Sequence, residues 1–270
     1  AVRGSNPSGP YEIAEDIIIR NNTETGSRVG GMTIHTGDRV TIEDNIMENS
    51  LSYSTSIGSI IRNNTITSTT DKTSNSNSAI NAGREDRYDR NYGNKVYGNT
   101  IIGFSTGIMM TNTDLEVYNN TIIDCKTGLL FQTIRNSKVY GNTIKSTRAS
   151  SDGIVTHPTV QYIDDITIGS GVNEANTVDK ENIIEVTRTP LKFVGINNES
   201  GQENYKIIIK NNRINSTNTS TISNTHGFEF RNNIIEQGGI RLENAKNGNL
   251  MDNTITSTYS HGIRLDKGCS

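Results

Sequence analysis

Four side chains near the middle of the chain have the chemistry of acid–base work. Asp164 and Asp165 are adjacent carboxylates, a pairing in which one group donates a proton while the other accepts one. His157, an imidazole of the kind used as a general base, shares one long stretch of chain with Asp152 and both of these carboxylates, and Lys192 supplies a cation further on. The carboxylate pair suits hydrolysis. His157 with Lys192 suits proton abstraction, the histidine removing a proton next to a carboxylate whose charge the lysine neutralises. A lone outward histidine is usually an ordinary surface residue, so it is the neighbouring carboxylates that single out His157.

The elements that must position these residues repeat. The phrase apolar-x-x-Asn-x-Ile is plainest from Asn94 to Asp124, where Val96, Asn99 and Ile101 are followed by Val117, Asn120 and Ile122. The same phrase is anchored at Asn22, Asn45, Asn64, Asn99, Asn120, Asn142, Asn212, Asn233 and Asn253, with a degraded copy at Asn182 and Ile184. The residue three before each of the nine is apolar, and so is the residue two after, except Glu24. The underlying period of about 20 to 23 residues is that of a solenoid.

A second phrase, glycine followed by apolar–polar alternation, recurs out of step with the first, as Gly107-Ile108, Gly128-Leu129, Gly153-Ile154, Gly239-Ile240 and Gly262-Ile263. Alternation is the period of a strand with one buried face, and Ile, Val and Thr favour strands. Each period therefore holds at least two short strands, with a third expected at the isoleucine after each asparagine. Stacking such coils at about 4.8 Å gives an all-β, right-handed parallel β-helix of about ten coils. Its aligned asparagines form a ladder, with Asn tolerating the left-handed bend expected there.

In the glycine-led strands the outward residues are Thr33 and His35, Met109 and Thr111, Leu130 and Gln132, Val155 and His157, Lys192 and Val194, Arg241 and Glu243, and Arg264 and Asp266. They make one wall of a possible groove, apolar in its middle and charged at its far end. Arg241 and Arg264 lie about one coil apart and can pair with Glu243 and Asp266 as a surface ladder, or clamp an acidic polymer through bidentate contacts.

The chain has 270 residues, of which 31% are hydrophobic, which is lean for a globular core and sufficient for a narrow solenoid. A formal charge of −3 and the lack of any basic run argue against a nucleic-acid partner. No apolar run is long enough to insert in a membrane. Neither zinc-ligand spacing nor a phosphate loop is present.

Residues 1–14 read as a lead-in segment and 15–270 as the β-helix, expected to be part of a longer chain or to pack end-on against a partner, since no cap is evident. Insertions interrupt the rhythm at about 67–94, which ends in the charge cluster Arg84 to Arg90, and at 146–181, which contains an extra strand at Ile166-Thr167-Ile168. Cys125 and Cys269 are five coils apart, roughly 24 Å at 4.8 Å per coil, too far to bridge.

The recurring Val-Tyr-x-Asn-x-Ile with Gly-Ile-x-Leu resembles the right-handed parallel β-helix proteins of the pectin-lyase-like superfamily, from Asp16 to Asp266. These include polysaccharide lyases, hydrolases and epimerases, NosD-like proteins, and phage tailspikes and appendages. The resemblance implies a carbohydrate groove along one strand face. Under it, Asp164 and Asp165 become a glycosidase pair, and His157 with Lys192 a lyase pair acting on a uronate. Arg84, Arg87, Tyr88, Arg241 and Arg264 become sugar contacts, and Asp164, Asp165 and Glu185 ligands for Ca2+, the one cofactor implied. No activity carries over by motif. Asp164-Asp165 and Ser260-His261-Gly262 are similar to polygalacturonase elements, but His261 lies about four coils beyond the aspartates rather than a few tens of residues.

Three readings follow. The first is an enzyme that binds and cleaves or modifies an anionic or cell-surface polysaccharide. The second is a virion-borne tail appendage, commonly a homotrimer, that recognises a host cell-wall polymer. The third is a purely structural solenoid. The first two place the protein outside the cell or on a virion.

Overall fold

The computed structural model describes residues 13–26, 31–34, 36–53, 56–68, 78–83, 91–158, 162–169, 181–195, 206–257 and 261–270. Every pairing among them is parallel, and no described residue is helical. Successive coils stack three sheets into a right-handed parallel β-helix. One sheet holds the strands before each asparagine, such as Lys95–Tyr97 and Glu116–Tyr118. The second is a 10-stranded stack of the segments just after it, such as Thr100–Ile102 and Thr121–Ile123. The third holds the glycine-led strands, such as Asp152–Thr156 and Leu191–Val194. Thr127–Tyr140 runs from the glycine-led sheet into the pre-asparagine sheet of the next coil, turning at Asn136 with φ 45°.

The interior is filled by residues in register. In the post-asparagine sheet Met47, Ile66, Ile101, Ile122, Ile144, Ile184, Ile214 and Ile235 form one buried column. Each fully buried aliphatic side chain contributes about 1.5–3 kcal/mol. Glu24 occupies the first described position of that column, in register with Met47, and is half-buried. Its carboxylate accepts from the Glu48 N–H at 3.2 Å and from Asn49 Nδ2 at 2.9 Å.

The asparagine ladder runs unbroken through ten residues, from Asn22 to Asn253 and including Asn182, with each Nδ2 donating to the Oδ1 of the next at 2.9–3.1 Å. From Asn45 onward each Nδ2 also reaches a carbonyl of the preceding coil, as Asn120 does to Val96 O at 3.0 Å. The left-handed bend lies one residue earlier than the sequence implies. Asn21, Asp44, Asn63, Gly98, Asn119, Gly141, Asn211, Asn232 and Asp252 carry φ of 53–66°, and the anchors do not. Asn, Asp and Gly are the residues that adopt this conformation at low cost, which leaves the anchor's own amide extended and aimed along the axis.

The glycine of the second phrase serves close approach rather than an unusual φ. A Cβ at Gly128 would sit 2.5 Å from Ile144 Cγ2 and 2.9 Å from the Gly153 carbonyl. In the coil of Asn182 this position is Pro190, in register with Gly153 through the neighbouring pair Ile154 and Leu191.

Two expectations need correction. Ile166–Ile168 is not an extra strand: it pairs with Ser137–Val139 on one side and Ile207–Ile209 on the other, and is the pre-asparagine strand of its coil. The chain between it and Asn182 is what is lengthened, which is why that copy looks degraded. Thr111 does not face outward. A register shift after Met110 turns it into the interior, where its hydroxyl has no hydrogen-bond partner among the described residues.

Candidate functional site

A cleft of about 530 Å³ opens on the glycine-led face, across the coils of Asn99, Asn120, Asn142 and Asn182. Its floor is apolar: Leu130 pairs in register with Val155, and both project outward by strand alternation. Lys126 and Arg188 stand at one edge and His157 at the other, while Lys192 continues the floor column, in register with Val155. Two residues expected to act together, His157 and Lys192, are therefore brought to one site by the stacking of coils. The His157 N–H donates to the Phe131 carbonyl at 2.7 Å, which fixes its backbone to the preceding coil.

Sequence reasoning left out the charge pair on the Lys126–Arg188 edge. The Asp152 carboxylate is 9% exposed and is paired with Arg188, whose Nε lies 2.8 Å from Oδ1, and it accepts the Thr189 N–H at 3.2 Å. Hydrogen bonding to this carboxylate pushes the Arg188 pKa up, so the guanidinium stays charged and keeps its orientation. The one signal available was alignment on the glycine-led phrase, which places Asp152 before Gly153 and Arg188-Thr189 before Pro190. The proline in place of glycine hid it.

The lining presents three cations against a single carboxylate that is already engaged. Neither Lys126 nor Lys192 makes an ion pair with any described residue. Such a cleft, apolar below and cationic at its rims, has the chemistry to hold a ring with an apolar face and an anionic substituent.

PfbA, a surface adhesin of Streptococcus pneumoniae, is similar to this chain. Its crystal structure matches with a TM-score of 0.65 at 13% identity, covering 96% of this chain and 70% of that one. A second structure of the same adhesin gives 0.49 at 11% identity, covering 94% and 77%. At this identity the likeness is one of fold. No family model matches the chain. No curated protein matches it either.

The remaining expected site residues lie elsewhere. Asp165, with φ 48°, occupies a coil corner one residue before Ile166, the position held by Asn136 in the coil before and Asp114 in the one before that. Asp164 is in register with Arg135, and neither aspartate lines the cleft. Glu185 lies on the post-asparagine sheet and pairs with Lys145 at 3.1 Å. No group of three or more His, Cys, Asp or Glu able to hold a metal is found among the described residues, so Asp164, Asp165 and Glu185 do not gather. Arg84, Arg87 and Tyr88 lie outside the described residues. Arg241 and Arg264 form the surface ladder, Arg241 bridging Glu243 at 3.3 Å and Asp266 at 2.5 Å, and Arg264 meeting Asp266 at 2.7 Å.

Along the outside of the pre-asparagine sheet, Tyr97, Tyr118 and Tyr140 stack at 4.6 and 5.0 Å, within 7° of parallel. Arg62 closes the row, donating to the Tyr97 hydroxyl at 3.0 Å and to Glu43 at 2.7 Å. Desolvation within the stack pushes the Tyr118 pKa up to about 12.

Proposed function

We propose that this protein is an extracellular, carbohydrate-binding β-helix of the pectin-lyase-like kind, and that the cleft between Lys126, His157, Arg188 and Lys192 takes an anionic polysaccharide. The observation that carries this is the rim of cations over the apolar Leu130–Val155 floor. Sugar rings pack their C–H faces on apolar side chains, while a carboxylate meets Arg188 in bidentate fashion, Asp152 holding the guanidinium in place. The fold-level likeness to a surface adhesin supports a place at the cell exterior.

Where the ligand is a uronate, His157 and Lys192 are the pair for elimination. His157 takes the proton next to the carboxylate, Lys192 or Arg188 neutralises the enolate-like charge that develops, and the bond from the β-carbon to the glycosidic oxygen breaks as the double bond forms, the leaving oxygen taking a proton from His157 or water. Hydrolysis by Asp164 and Asp165 has no support from their position at a coil corner.

The test is direct. The purified chain is titrated calorimetrically with acidic and neutral polysaccharides, and incubations are read separately for reducing ends and for absorbance of unsaturated products. Binding of an acidic polymer that Arg188→Ala abolishes is the expected result. Binding unaffected by Arg188→Ala and Lys192→Ala would remove the cleft from the function. Unsaturated product lost in His157→Ala would extend the reading to catalysis.

A further inference from the structure

The cations of the glycine-led face are not spread evenly along the solenoid. Lys126 lies in the coil of Asn120. The next coil, that of Asn142, presents Val155 and the engaged carboxylate of Asp152 on this face and no lysine or arginine in the cleft. Arg188 and Lys192 follow in the coil of Asn182. The strand pairing fixes these steps: Leu130 is in register with Val155, and Val155 with Lys192. Along the Lys126–Arg188 edge, the Asp152 N–H donates to the Lys126 carbonyl and the Arg188 N–H to the Ser151 carbonyl. Continuing along the same column, Lys192 is in register with Thr221 and Thr221 with Arg241. Within the cleft, positive charge therefore recurs two coils apart, at Lys126 and then at Arg188 with Lys192, with no cation on the coil between, whereas beyond the cleft Arg241 and Arg264 stand in register on adjacent coils.

Two coils span about 9.6 Å along the axis. That is close to the length of one disaccharide in an extended β-linked chain, whereas one coil matches one sugar. Building on the carbohydrate reading above, we infer that the cleft is matched to an acidic polysaccharide with a disaccharide repeat, carrying a carboxylate on alternate sugars and lying parallel to the solenoid axis. Lys126 meets one carboxylate, and Lys192 with Arg188 meets the next. The uncharged sugar between them lies over Leu130 and Val155. A charge on that intervening sugar would fall on the coil that offers the cleft the Asp152 carboxylate and no lysine or arginine, so such a polymer is rejected by like charge as well as by an unfilled partner.

Oligosaccharides of one backbone provide the test. Unsulfated chondroitin hexasaccharide carries charge on alternate sugars, its sulfated form carries charge on every sugar, and its carboxyl-reduced form carries none. The unsulfated form is expected to bind at least tenfold more tightly than either. Affinity should also rise steeply from disaccharide to tetrasaccharide, where the second carboxylate first reaches its lysine. Lys126→Gln and Lys192→Gln are each expected to lower affinity for the tetrasaccharide about tenfold, and to leave the thermal midpoint unchanged because both side chains are exposed and make no ion pair with a described residue. Equal or tighter binding of the sulfated form overturns the alternate-sugar inference and leaves the cleft as a general acidic-sugar site. A smooth rise of affinity with length, with no step at the tetrasaccharide, overturns it as well. Failure of all three hexasaccharides and of an oligogalacturonate to bind overturns the carbohydrate reading itself.

Discussion

Replacing Asn120 by leucine tests the ladder at its most regular point. Asn120 Oδ1 accepts from the Asn99 N–H at 3.1 Å and from Asn99 Nδ2 at 2.9 Å, and its own Nδ2 donates to Asn142 Oδ1 at 2.9 Å and to Val96 O at 3.0 Å. Leucine removes all of these. Asn99 Nδ2 keeps the Ile61 carbonyl at 3.0 Å, and Asn142 Oδ1 keeps the backbone N–H of residue 120, but the buried Asn99 N–H loses its acceptor. One orphaned N–H costs about 1–3 kcal/mol and each of the two ladder bonds lost from a group that keeps another partner about 0.5–1.5, giving about 2–6 kcal/mol in all. For a chain of this size the thermal midpoint should fall on the order of 10 °C. Asn22→Leu is the control. Asn22 lies at the ladder's exposed start, where among the described residues its side chain only donates, to Asn45 Oδ1 and Arg20 O, so its loss should cost under about 1 kcal/mol. Calorimetric or circular-dichroism melts of both variants decide the matter. Midpoints within a degree of wild type for both would mean that the ladder decorates the corners and that the aliphatic columns alone hold the coils together.

Gly128→Ala should destabilise by about 1–3 kcal/mol, because the new methyl enters Ile144 Cγ2, and adding Ile144→Ala should recover part of the loss in denaturant melts. Thiol labelling in denaturant should find two free thiols per chain. Under native conditions Cys269 should react first: Cys125 is buried, which pushes its pKa up to about 11, whereas Cys269 is partly exposed. The Tyr118 hydroxyl, raised to about 12 against about 10 when unfolded, holds its proton more tightly in the folded chain, so its contribution is complete below about pH 10 and is lost as pH rises towards 12. Phenolate absorbance should show one tyrosine titrating late, and Tyr97→Leu and Tyr140→Leu together should bring it back towards 10.

The architecture was legible in the chain because each coil repeats the same local requirements. An apolar residue three before an asparagine and an isoleucine two after it state the two strands that flank a bend, although the bend itself falls on the residue before the asparagine. Repetition of such a unit leaves stacking as the only way to bury its apolar side. The spacing of Cys125 and Cys269 followed from the same count, as did the pairing of Arg241 and Arg264 with their carboxylates.

What the tertiary structure alone decided was the register across irregular coils. Between Asn142 and Asn182 lie 40 residues rather than about 21, and local sequence does not say which of them rejoin the stack. Hydrogen bonding to the coils on either side settles it: Ile166–Ile168 returns to the pre-asparagine sheet, and Asp165 is spent on a corner. The same long-range pairing sets Arg188 against Asp152, 36 residues away, and brings His157 and Lys192 to one cleft. A carboxylate is buried at little cost only when its partner is already held by a neighbouring coil, and that condition is a property of the stack rather than of any one repeat.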